Sequence, residues 1–159
     1  MALKKYRPLT PSLRYKISSD FAEITADKPE KSLIAKTNKS SGGRNNTGKM
    51  TMRYIGGGHK KHYRIVDFKR DKKDIEATVV SVEYDPNRSG FIALVAYRDG
   101  AKRYVLVPKS VKVGDTFIVS EKADLVPGNR ISLKYIPVGT FVYNLEIKPR
   151  AGAKLVRSA

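Results

Sequence analysis

Apolar positions in the first sixty residues follow neither a period of two nor one of 3.6, and Pro8, Pro11 and Pro29 interrupt the first thirty. Asp20-Phe21-Ala22-Glu23 predicts at most one short helical turn. From residue 62 the pattern becomes that of strands. Tyr63, Ile65 and Phe68 follow a glycine run, and Ile75 to Tyr84 is β-branched and partly alternating. Asp85-Pro86-Asn87-Arg88-Ser89-Gly90 reads as a turn, and Phe91 to Tyr97 as an apolar strand. Asp99-Gly100 signals a hairpin, with a type I′ turn expected from its preference for positive φ at both central positions. Arg103 to Val107 then pairs back and Pro108 stops it. Val113-Gly114-Asp115 turns into Thr116 to Val119. About five short strands between residues 62 and 120 predict an all-β, small antiparallel barrel. An OB-like barrel is the natural candidate, because the open face of that fold binds oligonucleotides; a small sandwich is the alternative.

Pro127-Gly128-Asn129 marks a second boundary. Strands are expected at residues 131–133, 140–147 and 155–156, too few to bury a core of their own. An unfinished sheet leaves a pairing edge that another chain would cover. The expected organisation is a basic N-terminal extension (residues 1–61), an OB-like barrel (62–124) and an incomplete second β domain (125–159).

Charge changes this picture from a generic β domain to a polyanion binder. The 159 residues hold 32 Lys+Arg against 15 Asp+Glu, a net charge of +17, which repels itself unless a polyanion neutralises it. Residues 1–73 carry 19 basic and 6 acidic side chains, residues 74–159 carry 13 and 9. Between Lys31 and Val66 there are nine basic residues and no acid. This stretch is poor in aliphatics and rich in Gly, Ser, Asn and Thr, so alone it should be disordered and on a polyanion it should order.

Several chemistries are excluded. The chain has no cysteine, which removes disulfides, thiolate metal sites and cysteine nucleophiles. It has no run of 18 apolar residues, so no spanning helix and no membrane role are expected, and no apolar segment at the N-terminus suited to a secretory signal. Gly43-Arg44-Asn45-Asn46-Thr47-Gly48-Lys49 matches most of a Walker A loop, but Met50 stands where a magnesium-binding hydroxyl is needed, and no strand precedes it or helix follows. His59 and His62 lack a third ligand and sit among Arg53, Lys60, Lys61 and Arg64, which repel a metal ion. Asp67 and Asp71, among Lys69, Arg70, Lys72 and Lys73, read as ion-pair partners. No enzymatic activity is expected.

RNA binding needs dense cation, backbone free for close approach, and rings for stacking. Gly42, Gly43, Gly48 and Gly56 to Gly58 free the backbone. Lys36, Lys39, Arg44, Lys49, Arg53, Lys60, Lys61, Arg64, Lys69 and Arg70 supply charge; Tyr54, His59, His62 and Tyr63 supply rings. Asn45 and Asn46 can donate and accept at base edges or the 2′-OH. No recognition-helix candidate is visible, which favours RNA over DNA.

These residues carry a resemblance. Gly43 to Lys49, Gly56-Gly57-Gly58-His59-Lys60-Lys61-His62-Tyr63-Arg64-Ile65-Val66-Asp67-Phe68-Lys69-Arg70 and Glu83-Tyr84-Asp85-Pro86-Asn87-Arg88-Ser89 resemble the large-subunit ribosomal protein two family. Arg103 to Pro108, Gly128-Asn129, Ile136 to Thr140 and Arg157-Ser158-Ala159 continue the likeness across the chain. The resemblance implies an OB-like barrel followed by the beginning of an SH3-like barrel. It adds Arg88, Arg103 and Arg157 to the expected RNA contacts. It implies a structural role in translation within the large ribosomal subunit, bound to large-subunit rRNA and neighbouring ribosomal proteins, supporting subunit association and the peptidyl-transferase region. No cofactor is implied, magnesium or potassium entering only as bridges to rRNA. Members of the family continue beyond Ala159, and Tyr143 and Pro149-Arg150 depart from common His and Pro-Gly. A separate chain completing the C-terminal domain is therefore expected, as is a mitochondrial matrix ribosome, with bacterial cytoplasm and plastid as alternatives. The competing function is a split-barrel module whose main partner is that second protein chain.

Overall fold

The computed structural model describes residues 3–35, 41–109 and 111–157. Two short strands, β1 (Leu3–Lys5) and β2 (Ile17–Ser19), form an antiparallel ribbon. The body of the protein is a curled antiparallel sheet of β3 (Ala77–Glu83), β4 (Ile92–Tyr97), β5 (Lys102–Leu106) and β6 (Thr116–Phe117), in the order β5-β4-β3-β6. Single turns of 3-10 helix occur at Lys31–Leu33 and Leu133–Tyr135. The fold is all-β, a half-barrel.

Both faces of the sheet are buried, which explains the unbroken apolar run of β4. Ala93, Val95 and Tyr97 face one core with Ala77, Val79, Val82, Val105 and Phe117. Ile92 and Leu94 face the other with Val66, Tyr104 and Leu106. In β3 the register against β4 shifts between Val79 and Ser81. This bulge inserts Val80 as an extra, exposed residue and reverses the alternation. Val82 thereby stays on the face of Val79, while Ser81 and Glu83 turn to the second face.

The chain before the sheet covers that second face. Thr25 donates its amide to the Val82 carbonyl and accepts the Val82 amide on its hydroxyl, both at 2.9 Å. The Glu30 amide donates to the Tyr104 hydroxyl at 2.8 Å, and Leu33 packs on the core. Ile34 pairs with Arg64, and Val66 pairs in parallel with Tyr104. Part of the segment expected as an extension thus lies on the barrel.

Four expectations change. The strand foreseen at 63–68 exists as isolated bridges at Arg64 and Val66, because glycines and charged neighbours leave it too little apolar surface for a ladder. Residues 20–23 form a turn, not a helix, and Phe21 takes φ +55°. At Asp99-Gly100 the hairpin forms with a three-residue loop: Tyr97 and Ala101 close it, and Gly100 alone is left-handed (φ +85°), so the turn is the bulged type rather than I′. Among the described residues after 125, β pairing is limited to the bridges Val119–Arg130 and Leu145–Leu155. The strand foreseen at 131–133 does not form, that foreseen at 140–147 pairs only around Leu145 with residues 154–156, and Val138 and Phe141 stand fully exposed.

Candidate nucleic-acid interface

Residues 43–52 close on themselves without a hydrophobic core. Arg44 pairs with Met50, and the amides of Thr51 and Met52 donate to the Gly43 carbonyl at 2.8 and 3.1 Å. The Asn45 side-chain oxygen accepts from the Thr47 amide (3.0 Å), the Thr47 hydroxyl (2.7 Å) and the Lys49 amide (3.0 Å). An Asn oxygen replacing backbone acceptors is the physics of an Asx-turn. Gly43 is buried at φ +71°, and a Cβ there would collide with the Met52 carbonyl. Over residues 43–52 the chain thus forms a turn built from polar groups.

This turn presents Arg44, Asn46 and Lys49 to solvent, and the following residues continue the exposed surface with Arg53, Lys60 and Lys61. Tyr54 takes φ +60° and its ring is fully exposed. Gly56, Gly57 and Gly58 all have positive φ, so the backbone here can approach a phosphate closely. His59 and His62 are exposed, and the His59 Nδ1 lies 3.0 Å from the Lys60 carbonyl. Tyr63 is half exposed and Lys69 is exposed. Among the described residues no three His, Asp or Glu side chains come together. Lys36 and Lys39 lie outside the described residues.

Besides Asn45, four arginines among the expected RNA contacts are engaged within the protein. Arg64 is buried and donates to the His62 carbonyl at 2.6 Å. Arg70 is buried and donates to the Gly128 carbonyl at 2.7 Å. Arg88 lies 2.5 Å from Asp85, whose carboxylate is fully buried, and sits over the Phe68 ring. Arg103 is 2.6 Å from Asp67, also pairs with Asp71, and lies over the Tyr97 ring. Its hydrogen bonds to Asp67 and Asp71 hold its guanidinium charged even more firmly than usual, despite desolvation by burial, and the Arg103 bond holds Asp71 below the ordinary carboxylate range. Asp67 and Asp71 are ion-paired as their neighbourhood implies, but with an arginine from β5 rather than with the adjacent lysines.

Arg157 lies elsewhere, over Phe68 at 4.6 Å from the ring centroid. It reaches that position because residues 145–155 fold back. The Ala153 amide donates to the Phe68 carbonyl at 2.9 Å, and Arg130 bridges Glu146 (2.7 Å) and the carbonyls of Lys69 and Arg70. This return also places Lys154 on the lining of the same groove as Lys69 and Arg157, a grouping that sequence reasoning missed, since nothing in the local pattern announces the fold-back.

Residues 30–120 match the family described as Ribosomal Proteins L2, RNA binding N-terminal domain. Over all 159 residues the chain is 55% identical to the large ribosomal subunit protein uL2 of Parabacteroides distasonis, and it spans 58% of that protein's length.

Proposed function

Because the chain belongs to the ribosomal protein L2 family, we propose that it is a non-enzymatic structural component of the large ribosomal subunit that binds large-subunit rRNA. The observation that carries this reading is the exposed, acid-free stretch from Arg44 to Lys61, whose first part is shaped by its own polar turn. Cations there neutralise phosphates and release counterions. Asn46, Tyr54, His59, His62 and Tyr63 add groups that stack or read base edges. Arg64, Arg70, Arg88 and Arg103 serve instead to shape the body that presents this surface. By resemblance, the bound chain supports subunit association and the surroundings of the peptidyl-transferase centre, beside neighbouring ribosomal proteins. The relative is bacterial and lends the mitochondrial matrix no support; the proposed location is the ribosome.

The test replaces Arg44, Lys49, Arg53 and Lys60 with Ala. Each lost phosphate contact should lower the slope of log affinity against log salt by about one unit, while the barrel unfolds at the same urea concentration. Unchanged rRNA binding would overturn the assignment.

A second reading rests on residues 125–157. Val138 and Phe141 are fully exposed, and Leu133, Tyr135, Ile147 and Leu155 are about half exposed or more. Such a surface is covered by further protein, a separate chain on the split-barrel reading. Mixed with the C-terminal remainder of the Parabacteroides distasonis relative, this segment should gain hydrogen-exchange protection; equal protection without it sinks the idea.

A further inference from the structure

Residues 65–69, 102–103 and 151–154, with Leu33 and Arg157, enclose an open groove of about 760 Å3 that none of the residues from Arg44 to Lys61 lines. Sites for small organic ligands run to about 300–1,000 Å3. The groove is a built feature. The Ala153 amide is bonded to the Phe68 carbonyl. Gly152, at φ +87°, brings its backbone so near residue 69 that a Cβ would lie 3.3 Å from the Lys69 Cγ.

The lining has two kinds of surface. Val66, Phe68 and Ala153 supply an apolar floor containing one aromatic ring, and Lys69, Lys154 and Arg157 supply a cationic rim. The Lys69 and Lys154 ammonium groups have no ion pair among the described residues. The carboxylate in the lining, Asp67, is committed to Arg103. The Phe68 ring carries two guanidinium groups, Arg157 at 4.6 Å and Arg88 at 5.6 Å from its centroid. Arg88 is held there by Asp85, whereas Arg157 is exposed and is free to turn from the ring to a phosphate, ceding its place to a base. Uncompensated cation around an aromatic floor is the chemistry that holds an unpaired nucleotide, base on ring and phosphate on ammonium.

We propose that this groove receives one unpaired nucleotide of the bound RNA, its base against Phe68 and its phosphates on Lys69, Lys154 and Arg157. The inference rests on the rRNA-binding reading and adds to it a second contact, distinct from the Arg44–Lys61 surface.

The test uses the full chain bound to a large-subunit rRNA transcript carrying 4-thiouridine. The complex is irradiated and its adducts mapped by mass spectrometry. Adducts are expected within residues 66–69 and 151–157 as well as 44–61. Phe68→Leu should weaken binding about five- to tenfold at every salt concentration with an unchanged salt slope, because stacking is not screened. Phe68 also touches the core, so the exposed pair Lys154→Ala and Arg157→Ala provides a variant that leaves the core intact. It should lose the groove adducts and lower the salt slope by about two units. Adducts confined to residues 44–61, with the paired variant binding like the parent, overturn the proposal while leaving rRNA binding itself standing. So does a groove protected from hydrogen exchange yet free of adducts, the result expected of a protein occupant. A chain that binds no transcript overturns both readings.

Discussion

The Arg70 guanidinium donates to the Gly128 carbonyl at 2.7 Å, tying the end of the basic segment to a turn 58 positions later. The same guanidinium lies 5.9 Å from the centre of the Phe117 ring in β6. Arg70 itself takes φ +43°, and its amide is held by Asp67 at 2.8 Å. A cation placed by this many contacts is a strut between the barrel and residues 125–157, not a free phosphate ligand. Arg70→Ala should lower stability by about 2–3 kcal/mol, the scale of hydrogen bonds made by a charged group, and leave the salt slope of rRNA binding unchanged. Urea unfolding and a salt titration measure the two effects. A slope reduced by one unit at unchanged stability would return Arg70 to the RNA surface.

Gly128 is the other half of that contact. It has φ +107°, and an added Cβ would run into three atoms of the Phe117 ring. Phe117 is buried in the core of the sheet, so the ring cannot retreat without moving its neighbours. Gly128→Ala should cost about 2–4 kcal/mol from overpacking and backbone strain together. Thermal unfolding checks this, and a variant that melts with the parent would show that the turn relaxes freely.

Tyr104 sets an alkaline limit on the fold. Its hydroxyl is buried, donates to Glu83 at 2.6 Å and accepts the Glu30 amide. Burial first, and then the bond to Glu83, push its phenol well above its ordinary value of 10.0. The folded chain therefore keeps this proton at a pH where the unfolded chain has released it. The associated stability is whole below about pH 10 and is lost as the pH rises further. Tyr104→Phe should flatten that limb, leaving the smaller one due to Tyr97, which burial also pushes up. At neutral pH the same change should cost about 1–3 kcal/mol, because the buried Glu83 carboxylate loses a donor. Urea midpoints from pH 7 to 11 report both effects.

The sheet was legible because β4 is apolar on both faces and Asp99-Gly100 closes its hairpin with β5. The bulge at Val80 was not. Val79-Val80 reads as two consecutive apolar residues, and the need to put Val82 beside Val79 arises only when β4 supplies the opposing register. The ribbon of β1 and β2 escaped notice for the opposite reason. It is largely exposed, and it is held by backbone pairing, a Tyr6–Ser18 bond of 2.9 Å and the Lys4 and Lys16 ammonium groups near the Tyr6 ring. None of these imposes a hydrophobic period. The basic character of the candidate interface was evident from its lack of acids, but the division of labour among its arginines was not. Arg103 finds Asp67 across 36 positions and Arg70 finds Gly128 across 58, so charge alone could not separate a phosphate ligand from a strut.

The last prediction separates order from charge in the turn of residues 43–52. Three donors converge on the Asn45 side-chain oxygen, and nothing apolar closes this turn. Asn45→Ala removes that acceptor. The Thr47 and Lys49 amides should then exchange freely, and rRNA affinity should fall by about 1–2 kcal/mol, since ordering the loop becomes a cost of binding. The salt slope should stay the same, because every cation remains. Asn45→Asp keeps an oxygen that accepts all three bonds, so amide protection should persist. Its negative charge among phosphate contacts should instead lower the slope by about one unit. Amide exchange in the free chain and salt-titrated binding distinguish the two variants. If the parent's Thr47 and Lys49 amides exchange freely and Asn45→Ala binds as tightly, the turn has no part in presenting Arg44 and Lys49.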